Sequence, residues 1–203
     1  MYKRQGYKRP GESEPRGRIR VLRGPNYLRF APGWKNEQGQ DVLYLEGEQA
    51  GEEFGSSIIG LSDIDGDGKD DFAVGAPGYS ILPGTDGLGR KDGIGRVYVF
   101  SGRTGKIIYT LEGSTWTARD ATNPQSVPID LGERFGSSLA PLFSVGENNN
   151  GIVNDFNADS RPDFAVGAPL ASPGGIRGAG SAYVFQAPPV KTQENGVDIC
   201  LLY

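Results

Sequence analysis

The sequence contains no histidine, one cysteine and one methionine in 203 residues. Without histidine there can be no His general base, no Ser-His-Asp triad and no His-ligated zinc. Cys200, the single cysteine, cannot form an internal disulfide or a Cys-rich metal site. Because the remaining reactive groups are mostly carboxylates, amides and hydroxyls, the composition favours hard cations bound by oxygen over softer metals.

The sequence also lacks long apolar runs and a strong net charge. No apolar stretch approaches the length of a membrane span. The net charge of −4 is too small and too mixed to indicate a nucleic-acid partner. The chain has 32 Gly and 14 Pro, while 36% of its residues are hydrophobic. We therefore expect a packed core built from short elements joined by many turns.

The two ends of the chain differ from the rest. Residues 1–5 (MYKRQ) and 200–203 (CLLY) resemble translations of one transposase adapter used to prepare DNA libraries, read forward and as its reverse complement. We expect both segments to be adapter-derived and do not use them to predict the fold. The natural chain would then extend past both ends. A missing signal peptide would then say nothing about the compartment of the protein. The alternative is a basic leader and an apolar tail.

The most informative feature is an internal repeat with a period of roughly 80 to 90 residues. The segment FGSS at 54–57 recurs at 135–138, and DFAVGAP at 71–77 recurs unchanged at 163–169. Each unit carries short strand signals separated by Gly, Pro, Asn and Asp. In the more complete unit, the predicted strands are residues 57–61, 72–76, 97–100 and 107–111.

The strand patterns of this unit predict a stacked β architecture. The segment FAVGA at 72–76 places large side chains on one face and small ones on the other, which suits close packing against a neighbouring sheet. The strand at 97–100 is apolar on both faces and should be buried on both. Tandem four-stranded antiparallel sheets of this kind describe the blades of a β-propeller. A β-sandwich with accidental internal similarity is the alternative.

Phe-Gly, an Asp-rich loop and Gly-Ala-Pro together resemble the FG-GAP repeat of the integrin α-subunit propeller and its bacterial relatives. Two full signatures lie at 54–77 and 135–169, and flanking strands extend the resemblance over roughly residues 17–187. Integrin propellers close with seven blades. The resemblance therefore implies an all-β fragment, a partial β-propeller with about two and a half four-stranded antiparallel blades.

The positions at which the repeat starts and stops along the chain predict six segments. In chain order they are a leader (1–16), the C-terminal half of a preceding blade (17–50), a complete FG-GAP blade (51–113), an inter-blade loop (114–131), a second FG-GAP blade lacking its last strand (132–187) and a tail (188–203). An open arc of this kind leaves strand edges and blade faces exposed. The remaining blades of the same propeller are thus expected partners.

The loop at 63–71 has the spacing of a calcium site. Carboxylates stand at positions 1, 3, 5 and 9, with Gly at 6 and a backbone carbonyl at 7. An EF-hand needs Glu at position 12, where this chain has Val74.

Carboxylates about 5 Å apart repel by roughly 3 kcal/mol per pair. Lys69 is the only nearby cation in sequence, which favours a loop that binds Ca²⁺ over a solvated, metal-free turn. Mg²⁺ is less suited to so many protein oxygens. The predicted ligands are Asp63, Asp65, Asp67, the Lys69 carbonyl and Asp71.

The loop at 155–163 keeps the ligand types but departs from the pattern. Asn157 replaces a charged ligand, and Ser160 stands where Gly is expected. An insertion at 141–151 also lengthens the approach. We therefore expect a second Ca²⁺ site that binds more weakly than the first. Its predicted ligands are Asp155, Asn157, Asp159, the Arg161 carbonyl and Asp163.

The long connections at 78–94, 114–131 and 170–179 lie on the rim opposite the Asp-rich loops in a four-stranded meander. Loops on a rigid scaffold commonly carry recognition, and integrin propellers use this rim for ligand. We expect a protein or glycan ligand there. The candidate contact residues are Tyr79, Asp86, Arg90, Lys91, Trp116, Arg119 and Arg177.

The leading functional prediction is a non-catalytic, calcium-binding propeller segment of a larger extracellular or surface protein, acting in cell adhesion or protein/ligand binding. The alternative is an accessory propeller of a secreted multidomain enzyme, a hydrolase or lipase, whose catalytic domain lies outside this chain. A third reading uses paired carboxylates such as Glu52 and Glu53, or Glu133, as an active site. We disfavour it because adjacent strand residues point to opposite faces.

Overall fold

The computed structural model describes residues 2–5, 8–11, 15–22, 42–81, 93–118, 129–142, 155–157, 159 and 161–186. In these residues the regular structure is almost entirely β, with a single 3₁₀ turn at Pro173–Gly175. The predicted all-β class is therefore confirmed. The segment 200–203 and most of the insertion at 141–151 lie outside the described residues.

The strands are short and pair antiparallel throughout. In chain order they are β1 (Tyr2–Gln5), β2 (Arg18–Leu22), β3 (Val42–Glu46), β4 (Ser57–Leu61), β5 (Asp71–Ala76), β6 (Arg96–Phe100), β7 (Ile107–Glu112), β8 (Thr115–Ala118), β9 (Ile129–Gly132), β10 (Ser138–Leu142), β11 (Asp163–Ala168) and β12 (Ser181–Gln186). They form a β1-β2-β3 sheet, a β4-β5-β6-β7 sheet, a β8-β9 ribbon and a β10-β11-β12 sheet.

The sheet β4-β5-β6-β7 is the four-stranded meander expected for a propeller blade. All four strands predicted from the sequence are present, each within one residue of its expected bounds. The repeat also preserves register, since Phe72 of β5 pairs with Phe100 of β6 and Phe164 of β11 pairs with Phe185 of β12. The identical DFAVGA segments thus occupy the same place in both sheets.

Two stretches form strands where the sequence predicted none. Residues Thr115–Ala118 and Ile129–Gly132 pair as the β8-β9 ribbon, inside the connection expected to be an inter-blade loop. Residues Tyr2–Gln5, set aside as adapter-like, pair with β2 on the edge opposite β3. In the first sheet β2 thus has a paired strand on each side, as β6 has in the second.

The core consists of two apolar clusters, one on each face of β5. Phe72 and Val74 pack with Ile19 of β2 in one cluster. Ala73 packs with Val166 of β11 in the other. The β4–β7 sheet is therefore buried between its two neighbours, and the predicted alternation of large and small residues along β5 is confirmed. This face-to-face stacking of repeated sheets is the architecture of a partial β-propeller.

Glycines at the start of β2 and β6 allow the neighbouring sheets to approach. Gly17 and Gly95 have φ of +88° and +83°, a region that favours glycine. A Cβ at Gly17 would overlap the carbonyl oxygen of Phe54, and one at Gly95 would overlap that of Phe135. Phe135 also pairs with Gly95 through an isolated parallel bridge. Each Phe-Gly motif thus abuts the start of the preceding unit's central strand.

We predict that Gly95→Ala lowers the free energy of unfolding by about 2 to 4 kcal/mol, because the methyl group meets both backbone strain and the Phe135 carbonyl. Urea denaturation of the full chain measures the change. Gly60→Ala is the matched control, since a Cβ there meets no atom within 4 Å. Equal effects of the two substitutions would contradict the proposed close approach.

Candidate metal centre

The loop between β4 and β5 is folded around the carboxylate of Asp63. One oxygen, Oδ1, accepts hydrogen bonds from the N–H groups of Gly66 (2.7 Å) and Asp67 (3.0 Å). The other, Oδ2, accepts one from Gly68 at 2.6 Å. Gly66 and Gly68 have φ of +78° and +82°, which lets successive N–H groups turn inward. The Asp-Gly alternation therefore produces a tight loop with its backbone donors directed at the first carboxylate.

Three of the predicted ligands converge at the mouth of this loop. Asp63, Asp65 and Asp71 each offer a carboxylate oxygen, and these oxygens lie within 4.8 Å of one another. Asp71, the first residue of β5, is buried, whereas Asp63 and Asp65 are half-buried. This arrangement can bind a hard cation, because it presents several oxygens to a common point.

Asp67, a fourth predicted ligand, lies outside that group of three. Its Oδ2 is 3.1 Å from Nε of Arg103, which also donates to the Asp67 backbone carbonyl. The expectation that Lys69 is the only nearby cation is therefore wrong. Arg103 comes from the turn between β6 and β7, which lies on the same rim as the β4–β5 loop. The sequence signal that could have located it is this meander topology.

Burial raises the pKa of two carboxyl groups in the loop. The pKa of Asp71 rises to about 6, chiefly because the group is removed from water, although N–H donors from Gly102 and Ile64 favour its charged form. The pKa of Asp65 is also raised, first by burial and then by the charge of Asp67. Keeping these carboxyl groups charged without a cation therefore costs free energy, which a bound cation would offset.

Two contacts fix the loop to the body of the sheet. Ile64 is buried in the apolar cluster that also contains Leu61, and its N–H donates to Oδ2 of Asp71 at 2.7 Å. The N–H of Gly102, in the β6–β7 turn, donates to Oδ1 of Asp71 at 2.9 Å. Asp71 therefore connects the β4–β5 loop with the β6–β7 turn. Neither Ile64 nor Gly102 was identified from the sequence.

The loop between β10 and β11 repeats the hydrogen-bond pattern of the first. Asp155 accepts from the N–H of Asp159 at 3.1 Å, as Asp63 does from Asp67. Asp163 accepts from the N–H of Phe156 at 2.9 Å, as Asp71 does from Ile64. Asp159 accepts from the N–H of Arg161 at 3.0 Å. Ser160 lies outside the described residues.

The second loop differs from the first in its anchoring. Phe156 is 61% exposed, whereas Ile64 at the corresponding position is buried. Asn157 donates through its side-chain amide to Asp159 at 3.0 Å. Burial raises the pKa of Asp163, and its Oδ1 is buried with no hydrogen-bond partner in the described part of the chain. An unpartnered buried carboxylate oxygen is costly, and a cation would supply the missing interaction.

The residues of the first loop fit a hard divalent cation, and the described part of the second loop offers one candidate oxygen. In the first, Asp63, Asp65 and Asp71 provide converging oxygens, and in the second the unpartnered oxygen of Asp163 is available. All of these donors are carboxylates, which suit Ca²⁺ better than thiophilic metals. A cation bound there would neutralise charge and cross-link the loop to the sheet.

Of the three carboxylates considered for catalysis, Glu52 and Glu133 accept backbone hydrogen bonds, and Glu53 accepts one from the Arg134 side chain at 2.6 Å. Glu52 is fully buried and accepts hydrogen bonds from the N–H groups of Glu48 (2.9 Å) and Gln49 (3.0 Å). Glu133 accepts from the N–H of Ser114 at 3.0 Å. Glu52 and Glu133 therefore each cap the chain leaving the preceding sheet.

A tyrosine of the third strand of each unit completes these contacts. Tyr98 of β6 donates to Glu52 at 3.4 Å, and Tyr183 of β12 donates to Glu133 at 2.7 Å. Burial raises the pKa of Glu52 to about 7 and also raises that of Tyr98. The Glu–Tyr pair is thus a repeated junction between units. No local sequence pattern marks this junction, because Glu52 and Tyr98 lie 46 positions apart.

The rim opposite the Asp-rich loops has a mixed surface. Tyr79 is nearly buried there, with the guanidinium of Arg96 3.5 Å from its ring centroid, so this candidate contact residue packs internally. Arg177 is exposed. The side chains of Asp86, Arg90, Lys91, Trp116 and Arg119 lie outside the described residues. Three apolar residues that the sequence analysis did not single out are exposed on these connections: Ile81, Leu170 and Ile176.

The repeated sheets and their Asp-rich loops define a class of protein segment. A family model described as the FG-GAP repeat matches residues 54–100 and 148–185. The chain therefore contains FG-GAP repeats, arranged as sheets of a partial β-propeller. The described residues include no helix with the length and apolar character needed to cross a lipid bilayer.

Relatives of this chain include integrin α subunits and a phospholipase D. Integrin alpha-PS2 of Drosophila melanogaster is 34% identical over 155 residues, 74% of this chain and 9% of that protein. Integrin alpha-11 of Homo sapiens is 32% identical over 187 residues, 85% of this chain and 12% of that protein. The phosphatidylinositol-glycan-specific phospholipase D of Rattus norvegicus is 34% identical over 131 residues, 63% of this chain and 12% of that protein.

The chain is thus homologous to integrin α subunits over most of its length, and it spans only about a tenth of the length of these relatives. It is also similar to the phospholipase D over 63% of its residues. The predicted family resemblance is confirmed.

Glu52 predicts a pH dependence of stability. Because its pKa is higher in the folded chain than the ordinary value of 4.5, its stabilising contribution is fully present below pH 4.5. That contribution is lost as the pH rises through about 7. We expect the difference in unfolding free energy between Glu52→Gln and the parent chain to change by about 3 kcal/mol from pH 4.5 to pH 8, in favour of the variant.

Urea denaturation across this pH range measures the difference. Ionisations common to both proteins cancel, and the acid end of the series is the internal control because both side chains are neutral there. A difference that stays constant from pH 4.5 to pH 8 would contradict the burial of an ionisable Glu52.

Proposed function

We propose that this chain is a non-catalytic, calcium-binding segment of an extracellular or cell-surface β-propeller that takes part in adhesion or in binding a protein or glycan ligand. The observation that carries the calcium part is the convergence of oxygens from Asp63, Asp65 and Asp71 within 4.8 Å. At that separation the repulsion is about 3 kcal/mol per pair in an effective dielectric of 20. A divalent cation offsets it.

The proposed role of the cation is mechanical. Asp71 already accepts a hydrogen bond from Gly102 of the β6–β7 turn, so a cation on the same carboxylate would couple the two connections on that rim. Extracellular calcium modules bind with dissociation constants of about 10⁻⁴ to 10⁻³ M. Binding to the folded state alone adds about 2.7 kcal/mol of stability when free Ca²⁺ is ~100 times that constant.

The proposed ligand surface is the rim opposite the calcium loops. Ile81, Leu170 and Ile176 are exposed there, on connections carried by a rigid sheet framework. Similarity to integrin α subunits supports an adhesive role and a cell-surface location for the parent protein.

The alternative function is an accessory propeller of a secreted enzyme. Similarity to the phosphatidylinositol-glycan-specific phospholipase D favours it, since that protein contains a matching region within a much longer chain. The structural positions of Glu52 and Glu133 support a non-catalytic role for this segment under either proposal. The sequence of the full-length gene tests the choice by identifying the neighbouring domains.

Thermal melting with and without Ca²⁺ tests the first site. We expect 10 mM Ca²⁺ to raise the melting temperature of the full chain by about 3 to 10 °C over the value in chelator. Asp63→Asn should remove most of that rise. Asp70→Ala is the matched control, because Asp70 is an exposed residue of the same loop and is not a predicted ligand. No rise in the parent chain would overturn the calcium proposal.

The second site is tested by Asp155→Ala in the same assay. The loop at 155–163 replaces a carboxylate by Asn157 and leaves Phe156 61% exposed, so we expect weaker binding. The substitution should therefore reduce the calcium-dependent rise by less than Asp63→Asn does. A larger loss from Asp155→Ala would reverse the proposed order of the two sites.

A further inference from the structure

Arg103 reaches the β4–β5 loop from a rigid turn. The β6–β7 turn is closed by hydrogen bonds from Gly105 to Ser101 (2.7 Å) and from Ser101 to Lys106 (2.9 Å). Gly102 donates to Asp71, and a Cβ at Gly102 would overlap the carbonyl oxygen of Asp70. The turn backbone is thus pressed against the loop and has little room to move. The Arg103 side chain extends from this turn and is 47% exposed.

The Arg103 guanidinium makes a two-point contact with Asp67. Its Nε lies 3.1 Å from Oδ2 of Asp67, and its Nη2 donates to the backbone carbonyl of the same residue. Planar, two-point contacts of this kind orient a carboxylate more strictly than a single ammonium contact would. Oδ1 of Asp67 is also engaged, because it accepts from the N–H of Lys69 at 2.9 Å.

Asp67 is the predicted carboxylate ligand that lies outside the converging group. The oxygens of Asp63, Asp65 and Asp71 lie within 4.8 Å of one another, and Asp67 is not part of that group although it occupies position 5 of the Asp-rich pattern. The side chain of Asp67 is only 21% exposed, so its interaction with Arg103 is partly shielded from water. Arg103 therefore contacts the one predicted carboxylate ligand of this loop that lies outside the group of three.

We propose that Arg103 competes with a bound divalent cation for Asp67 and lowers the affinity of the β4–β5 loop for Ca²⁺. This inference rests on the proposed calcium site and names the residue that sets its affinity. Arg103 acts in two ways. It occupies an oxygen that a cation would otherwise use, and its positive charge opposes the approach of a second positive charge.

Titration calorimetry of the full chain with Ca²⁺ tests the proposal. We expect Arg103→Ala to lower the dissociation constant of the first site by about two- to fivefold, the range for a partly exposed ion pair. Arg103→Lys keeps the charge and loses the two-point contact, so its constant should fall between those of Arg103→Ala and the parent chain. The effect should shrink at high salt, because screening weakens the charge term.

Lys106→Ala is the matched control. Lys106 is exposed in the same turn and carries the same charge. Its removal should change the dissociation constant by less than about twofold, since exposed charges beyond direct contact are screened. Melting of each variant in chelator verifies that it is folded before titration.

The outcomes separate the two proposals. Suppose that Asp63→Asn removes the tighter of the two binding events and that Arg103→Ala binds there no more tightly than the parent chain. This result would overturn the role of Arg103 and leave the calcium site intact. Absence of binding to the parent chain, or binding that Asp63→Asn does not alter, would overturn both. Tighter binding by Lys106→Ala of the same size as by Arg103→Ala would show a general charge effect and also overturn the specific role.

Discussion

Like charges held close together are the constraint on which the β4–β5 loop depends. Asp63, Asp65 and Asp71 bring their oxygens within 4.8 Å, and burial raises the pKa of Asp71 to about 6. Backbone N–H groups from the loop and the β6–β7 turn partly compensate for this charge. The same donors fix the shape of the loop, so its geometry and its electrostatics have a common origin in the Asp-Gly spacing.

Two kinds of contact join neighbouring units, and both recur at each junction. A glycine at the start of a central strand, Gly17 or Gly95, lets the next unit's Phe-Gly motif make backbone contact. A buried glutamate, Glu52 or Glu133, accepts N–H donors from the chain that leaves the preceding sheet. The apolar faces of β5 then complete the stack. Rigid stacking of this kind positions loops on both rims, which is where the proposed functions lie.

The sequence predicted the features that recur within the chain. The four strands of 57–112 and the two faces of β5 follow from repetition and from a period of two, which are local patterns. The predicted ligands Asp63, Asp65 and Asp71 converge, as their spacing indicated. Contacts between distant segments were not predictable in this way. Arg103 meets Asp67 across 36 positions of sequence, and no periodic pattern marks such a contact.

Local sequence patterns also could not predict which charged residues are buried. Glu52 is a charged residue in a Gly-rich turn, a context typical of exposed positions, yet it is fully buried because it caps backbone donors of another unit. The β8-β9 ribbon pairs two short segments that have no counterpart in the repeat. Both features depend on tertiary context, which overrides the preferences of single residues.

The central claim is that the converging carboxylates enclose a divalent cation. Anomalous diffraction from crystals of the chain grown with Tb³⁺ in place of Ca²⁺ tests it most directly. The account predicts a strong peak among the oxygens of Asp63, Asp65 and Asp71, and a weaker one beside Asp163. Carboxylates turned outward with no peak between them, or peaks confined to other surfaces, would contradict it.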